Sequence, residues 1–128
     1  MKLLLDTHAF IWWDSEPGKL SPKALALCQD RANTVLLSVA SVWEMQIKSQ
    51  LGKLELQLPL AEVVEGQRLA NNIEVLPIGL DHVLALETLP TPHKDPFDRM
   101  LIVQANVEGA VLVSDDPIFE EYPVNVVR

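Results

Sequence analysis

With 128 residues, of which 48% are hydrophobic and 22% charged, the chain has the composition of one ordinary folded domain spanning residues 1–128, which excludes a disordered or fibrous protein. A chain of this size buries roughly two thirds of the surface its unfolded form exposes, so one core is enough. The formal net charge of −8 argues against a protein that coats nucleic acid through a basic surface. It does not exclude a nuclease, because carboxylates gathered around cations add negative charge while the bound ions restore attraction for phosphate.

Lys2-Leu3-Leu4-Leu5 is a short apolar run closed by Asp6, the pattern of a central strand covered on both faces. It starts like a leader, but Asp6 stops it short of the roughly 7–15 apolar residues a signal sequence needs, and no other stretch is suited to span a bilayer. A reducing cytoplasm is the expected compartment. A helix is predicted from about Thr7, and a second begins at Ser21-Pro22, an N-cap followed by a first-turn proline, and ends near Asn33. The single Cys28 lies on the apolar face of that second helix and reads as a buried, inert thiol.

Val35-Leu36-Leu37 reads as the next strand, and Ser38 caps a helix running to Leu51 and stopped by Gly52. Leu60 to Asn72 is predicted helical, Glu74 to Ile78 a strand, and Leu80 to Leu89 a helix. After a proline-marked loop, Asp95-Pro96-Phe97-Asp98 opens a helix through about Glu108, with Gly109 as its stop. Ala110 to Val113 is a buried strand, Pro117 to Glu121 one turn, and Val124 to Val127 an edge strand. Strands alternating with amphipathic segments predict a three-layer α/β/α sandwich with a mainly parallel sheet, and in such sheets ligands bind outside the carboxyl ends of the strands.

Four acids are placed on that rim. Asp6 ends the first strand, Asp116 follows the strand that stops at Val113-Ser114, and Glu44 and Asp98 stand in the early turns of helices whose N-termini face the same side. Each also has a purely structural role available. Asp6 suits the first helix as an N-cap, Asp116 suits the turn begun by Pro117, Glu44 is spaced for an ion pair with Lys48, and Asp98 complements an Asp95 cap. The functional reading rests on convergence: capping acids need not meet, whereas these four come from distant segments. Carboxylates brought close raise one another's pKa, and a divalent cation with oxygen ligands relieves them; Mg²⁺ fits, with Mn²⁺ as a substitute, and no Cys/His spacing suggests zinc. Such a site suits phosphodiester hydrolysis by water without a nucleophilic side chain, and the chain has no Gly-x-Ser-x-Gly elbow or glycine-rich phosphate loop.

These segments together resemble the PIN-domain nucleases, most closely the VapC-type toxins of prokaryotic toxin–antitoxin pairs. Leu3-Leu4-Leu5-Asp6-Thr7-His8 is similar to the family's first acidic motif, and Ser38-Val39-Ala40-Ser41-Val42-Trp43-Glu44 to its helical Glu segment. His93-Lys94-Asp95-Pro96-Phe97-Asp98-Arg99-Met100-Leu101-Ile102 is similar to the third and Leu112-Val113-Ser114-Asp115-Asp116-Pro117-Ile118-Phe119 to the fourth. The resemblance covers almost the whole chain. It implies a metal-dependent endoribonuclease, usually a homodimer, held inactive by a cognate antitoxin in a groove near the site. By the family's spacing Asp98 is the third ligand with Asp95 as N-cap, and Asp116 is the fourth, with Asp115 a further ligand or a neighbour.

Other residues carry paired readings. Phe10, Trp12 and Trp13 form either core or, for one of the two tryptophans, an antitoxin or dimer surface. Lys94 and Arg99 flank the third motif within reach of RNA phosphates, and an ion pair with a nearby carboxylate is equally open to Arg99. His8 and His93 stand beside the first and third motifs as capping, solvated or site residues. Two rival functions remain. A haloacid-dehalogenase-like phosphatase would use Asp6 as nucleophile but expects a second Asp where His8 stands. A non-catalytic PIN-like module would bind RNA or a partner, and would gain nothing from a self-repelling acid cluster.

Overall fold

A computed structural model describes residues 1–90 and 95–128. Its strands are β1 (Lys2–Leu5), β2 (Thr34–Ser38), β3 (Glu74–Leu76), β4 (Val111–Val113) and β5 (Val126–Val127). They form one sheet in the order β3-β2-β1-β4-β5, every pairing parallel. The helices are α1 (Thr7–Ser15), α2 (Pro22–Gln29), α3 (Val39–Gln50), α4 (Leu60–Asn71), α5 (Leu80–Ala85) and α6 (Pro96–Glu108), with 3₁₀ turns at Pro17–Lys19, Leu86–Thr88 and Pro117–Glu121. The predicted α/β/α sandwich with a parallel sheet is the fold found. No helix among the described residues is long and apolar enough to cross a membrane.

The strand pleat decides the layers. Register sets Leu3 beside Val35 and Leu5 beside both Leu37 and Val113. Their side chains share one face with Phe10 and Trp13 of α1, Ala24 and Cys28 of α2, Met45 of α3 and Val63 of α4. The alternate residues Leu4, Leu36 and Leu112 face the other way, onto Met100, Leu101 and Ala105 of α6 and onto Leu89, Phe119 and Tyr122. Continuous apolar strands are what a sheet covered on both sides requires.

Local chemistry explains most boundaries, including those that differ from expectation. β3 ends at Leu76 because Pro77 has no N–H to continue a ladder. α2 ends at Gln29, short of Asn33, where Asp30 leaves helical geometry and its carboxylate accepts the N–H of Ala32. The segment predicted as one helix from Leu80 to Leu89 is α5 followed by a 3₁₀ turn. Gly109 closes α6 with φ 66°, a left-handed cap that favours glycine.

Cys28 is buried in the first core layer, and burial pushes its thiol up to about 11. Native protein at pH 8 is therefore expected to resist a thiol reagent such as DTNB, with one thiol reacting promptly once denaturant is added. Prompt reaction of the folded chain would contradict this packing.

One topological fact positions the site. From β1 the chain builds outward through β2 to β3, then crosses back to β4 on the other side of β1, so the strand order reverses between β1 and β4. Crevices at such reversals, at the carboxyl ends of the strands, are where open α/β sheets bind ligands. Asp6 and Ser114 are the residues that leave β1 and β4 at that point.

Candidate active site

Asp6 is only 6% exposed. Its N–H donates to the Val113 carbonyl of β4, and its carboxylate caps α1 by accepting the Ala9 N–H at 2.7 Å. Burial pushes its pKa above the ordinary 3.8; the Ser114 hydroxyl, the Ala9 N–H and nearby His8 pull the other way, and Asp115 adds repulsion. A carboxylate in this position is poorly solvated and gains from a cation.

The next residue ties the first motif to the second. The Thr7 hydroxyl donates to Glu44 Oε1 at 2.6 Å and lies 3.1 Å from the Ser41 hydroxyl, all three side chains being buried. Ser38, the last residue of β2, caps α3 by accepting the Ala40 N–H, which sets Glu44 in the second turn. Glu44 Oε2 also pairs with Lys48 at 3.2 Å, the i,i+4 contact expected from spacing.

Ser114 ties the first motif to the fourth. Its hydroxyl stands beside the Asp6 carboxyl, lowering its pKa against the effect of burial, and accepts the N–H of Asp116 at 3.1 Å. Asp116 in turn caps the 3₁₀ turn by accepting the Ile118 N–H, and Asp115 and Asp116 are both exposed. Thus two buried hydroxyls, Thr7 and Ser114, link Asp6 to the Glu44 and Asp116 segments. Sequence reasoning assigned neither a role. The available signal was position: each hydroxyl immediately flanks an acid or begins a Ser-x-Asp turn at a strand end.

The third motif opens α6. Asp95 Oδ1 accepts the N–H groups of Phe97 and Asp98, so Asp95 is the N-cap and Asp98 stands half-buried in the first turn. The N-terminal end of α6 meets α3 through an edge-on contact between Phe97 and Trp43, ring centroids 5.2 Å apart. Arg99 donates to the carbonyls of Leu89 and Pro90. Lys94 and His93 lie outside the described residues.

The aromatic residues near the site divide. Phe10 and Trp13 are core. Trp12 is half-buried, with its ring 5.9 Å from that of exposed His8, and lines a cavity of about 200 Å³ shared with Leu20, Ala24, Val113, Asp115 and Arg128.

Among the described residues, no three of the rim acids bring ligand atoms within 4.8 Å of one another. Among the described residues, the group with three ligand atoms within 4.8 Å of one another is instead Asp81, His82 and Glu108. That imidazole is committed to protein partners: Nδ1 accepts the Gly79 N–H at 2.9 Å, and Nε2 faces Glu108 Oε2 at 3.0 Å. A metal there would displace one of these bonds. On the rim, by contrast, the donors Asp6, Glu44, Asp98 and Asp116 are all oxygen, Asp6 is desolvated, and two of the others are exposed or half-buried, a donor set that suits Mg²⁺ or Mn²⁺.

Residues 3–125 match the family model of the PIN domain. The chain belongs to the PIN-domain family. Ribonuclease VapC22 of Mycobacterium tuberculosis is 27% identical to this PIN domain over 115 residues, covering 89% of this chain and 86% of that protein. Two solved structures share the fold. One is VapBC2 from Rickettsia felis bound to a DNA fragment from its promoter, with TM-score 0.73 and 16% identity, covering 99% of this chain and 98% of that one. The other is DNA-bound VapBC from Salmonella typhimurium, with TM-score 0.72 and 17% identity, covering 99% and 97%.

Proposed function

We propose that this PIN domain is a divalent-metal-dependent endoribonuclease and the toxin of a toxin–antitoxin pair, working as a homodimer and restrained by a cognate antitoxin. The observation that carries the catalytic reading is the pair of buried hydroxyl links, Thr7 to Glu44 and Ser114 between Asp6 and Asp116, at the strand-order reversal. Similarity to a ribonuclease supports RNA as substrate, and the VapBC neighbours support an antitoxin partner.

Asp6, Glu44, Asp98 and Asp116 would hold the ion, with Asp115 beside them. When bound, Mg²⁺ supplies Lewis acidity: it lowers the pKa of water and neutralises charge on the phosphate. The remaining work belongs to the chain. Ser114 and the Ala9 N–H favour the ionised form of Asp6, against its burial. Thr7 fixes the rotamer of Glu44 by holding one oxygen, which leaves Oε2, now on Lys48, as the oxygen to turn toward a cation. Lys48 is then freed as a positive charge at the rim for the RNA backbone. Water attacks phosphorus directly, so the products carry a 5′-phosphate and a 3′-hydroxyl.

The phosphatase alternative lacks its acid/base carboxylate, since the second residue after Asp6 is an exposed His8 against Trp12. The test uses protein purified free of antitoxin. It is expected to cleave structured RNA with Mg²⁺ or Mn²⁺, to stop with EDTA, and to leave no cyclic phosphate. Full activity in Asp98→Asn, hydrolysis of p-nitrophenyl phosphate instead of RNA, or cyclic phosphate ends would each refute the reading.

A further inference from the structure

We propose that Gln104, outside the acid rim, is a positioning residue that sets the height of α6 against α3, and so the spacing of Asp98 and Glu44; the proposal rests on the nuclease reading above. Gln104 is fully buried inside an otherwise apolar run, Leu101-Ile102-Val103-Gln104-Ala105. An apolar side chain of similar volume would fill that space without the cost of desolvating an amide. What the amide adds is direction.

Its Oε1 accepts the hydroxyl of Ser38, also fully buried, at 2.5 Å. Its Nε2 donates to the Pro77 carbonyl at 3.3 Å and points at His82 Nδ1 at 3.4 Å. His82 Nδ1 already accepts the Gly79 N–H, so the imidazole proton sits on Nε2 and is donated to Glu108 Oε2 at 3.0 Å. The chain Ser38–Gln104–His82–Glu108 therefore runs from the end of β2, through the middle of α6 and the start of α5, to the last turn of α6. Every buried polar side-chain atom among the described residues has a partner, so this network is complete.

Two contacts define how α3 and α6 pass each other. Ser38 meets Gln104, and Trp43 meets Phe97. Residue numbers rise along one helix as they fall along the other, so the two run antiparallel. Glu44 stands six residues after Ser38, and Asp98 six residues before Gln104, which is about 9 Å of helix in the same direction for each. The aromatic contact adds apolar packing without fixing register, whereas the Ser38–Gln104 bond specifies it. Ser38 also caps α3, so the same hydroxyl fixes where the Glu44 helix begins. A displacement of about 1 Å between reacting groups is enough to cost about 100-fold in rate.

The experiment is a double-mutant cycle on the full chain with Gln104→Met, Ser38→Ala and the double variant. RNA cleavage is measured at saturating Mg²⁺, at a temperature where circular dichroism shows each variant folded. Each single variant is expected to lower kcat about 10- to 100-fold with KM within about 3-fold, and the double is expected to be no worse than the poorer single. A purely structural role would lower Tm and leave kcat of the folded protein alone. Folded single variants with kcat within about 3-fold of wild type, or effects that multiply in the double, overturn the proposal. Should Gln104→Met fail to fold, Ser38→Ala decides alone by the same kcat and KM criterion. A wild type without metal-dependent cleavage, or an active Asp98→Asn, brings down the nuclease reading and this proposal with it; an active, metal-dependent wild type with unaffected variants brings down this proposal only.

Discussion

Asp6→Asn is expected to reduce RNA cleavage by about 1,000-fold or more, and at the same time to make the metal-free protein more stable at pH 7. Asparagine is as good an N-cap as aspartate, so the bond from the Ala9 N–H survives. What disappears is a buried negative charge. Because burial raises the Asp6 pKa above 3.8, the folded state binds that proton more tightly than the unfolded state. Stability from this group is greatest below the unfolded value and is lost as pH rises from 3.8 through the raised folded value.

The cost of ionising the buried carboxyl grows as pH rises above 3.8, and the amide carries none of it. The variant is therefore expected to melt higher than wild type at pH 7, the difference shrinking toward pH 4. Mg²⁺ or Mn²⁺ should raise the wild-type Tm by more than the variant's, since an ion that binds only the folded state stabilises it in proportion to the logarithm of its affinity. Thermal melts at the two pH values, with and without metal, check all of this. An Asp6→Asn protein that melts below wild type at pH 7 would contradict the view of Asp6 as a strained ligand.

Glu44→Gln is expected to cost about 100-fold in cleavage with little change in stability. The amide keeps an oxygen for the Thr7 hydroxyl, so α3 stays anchored to the start of α1. The charge that would meet a cation is lost, and so is the partner of Lys48. That ion pair contributes little to stability, because the Lys48 side chain is 38% exposed and water screens it. Kinetics and a urea melt on the same sample separate the two effects: kcat should fall while the unfolding free energy moves by less than about 1 kcal/mol. A large stability loss with normal activity per folded molecule would make Glu44 a structural acid.

The sequence made the scaffold of this site legible because its signals are local. Apolar runs ending in Asp6 and Ser38, the Asp95-Pro96 start and the Gly109 stop all act within a few residues, and each stands where expected. The capping and pairing readings of the acids were equally local, and they too hold: Asp6, Asp95 and Asp116 accept backbone N–H groups, and Glu44 pairs with Lys48. A cap engages a carboxylate without using up its lone pairs, so a capping acid keeps oxygen acceptors open to a cation.

What the sequence hid is long-range. Nothing near Thr7 announces Glu44, 37 residues on, and nothing in the apolar pattern of α6 explains a glutamine facing Ser38, 66 residues away. Equally, spacing alone did not place Asp81 and His82 beside Glu108, the described trio that most nearly has the geometry of a metal site.

That trio makes the decisive measurement a direct one, Mn²⁺ binding followed by electron paramagnetic resonance in wild type, Asp6→Asn, Asp98→Asn and His82→Ala. The acid rim predicts that Asp6→Asn and Asp98→Asn each weaken binding by about 10-fold or more, while His82→Ala binds as wild type does. Undiminished binding in both aspartate variants, with loss in His82→Ala, would place the metal at the other end of α6 and contradict the account.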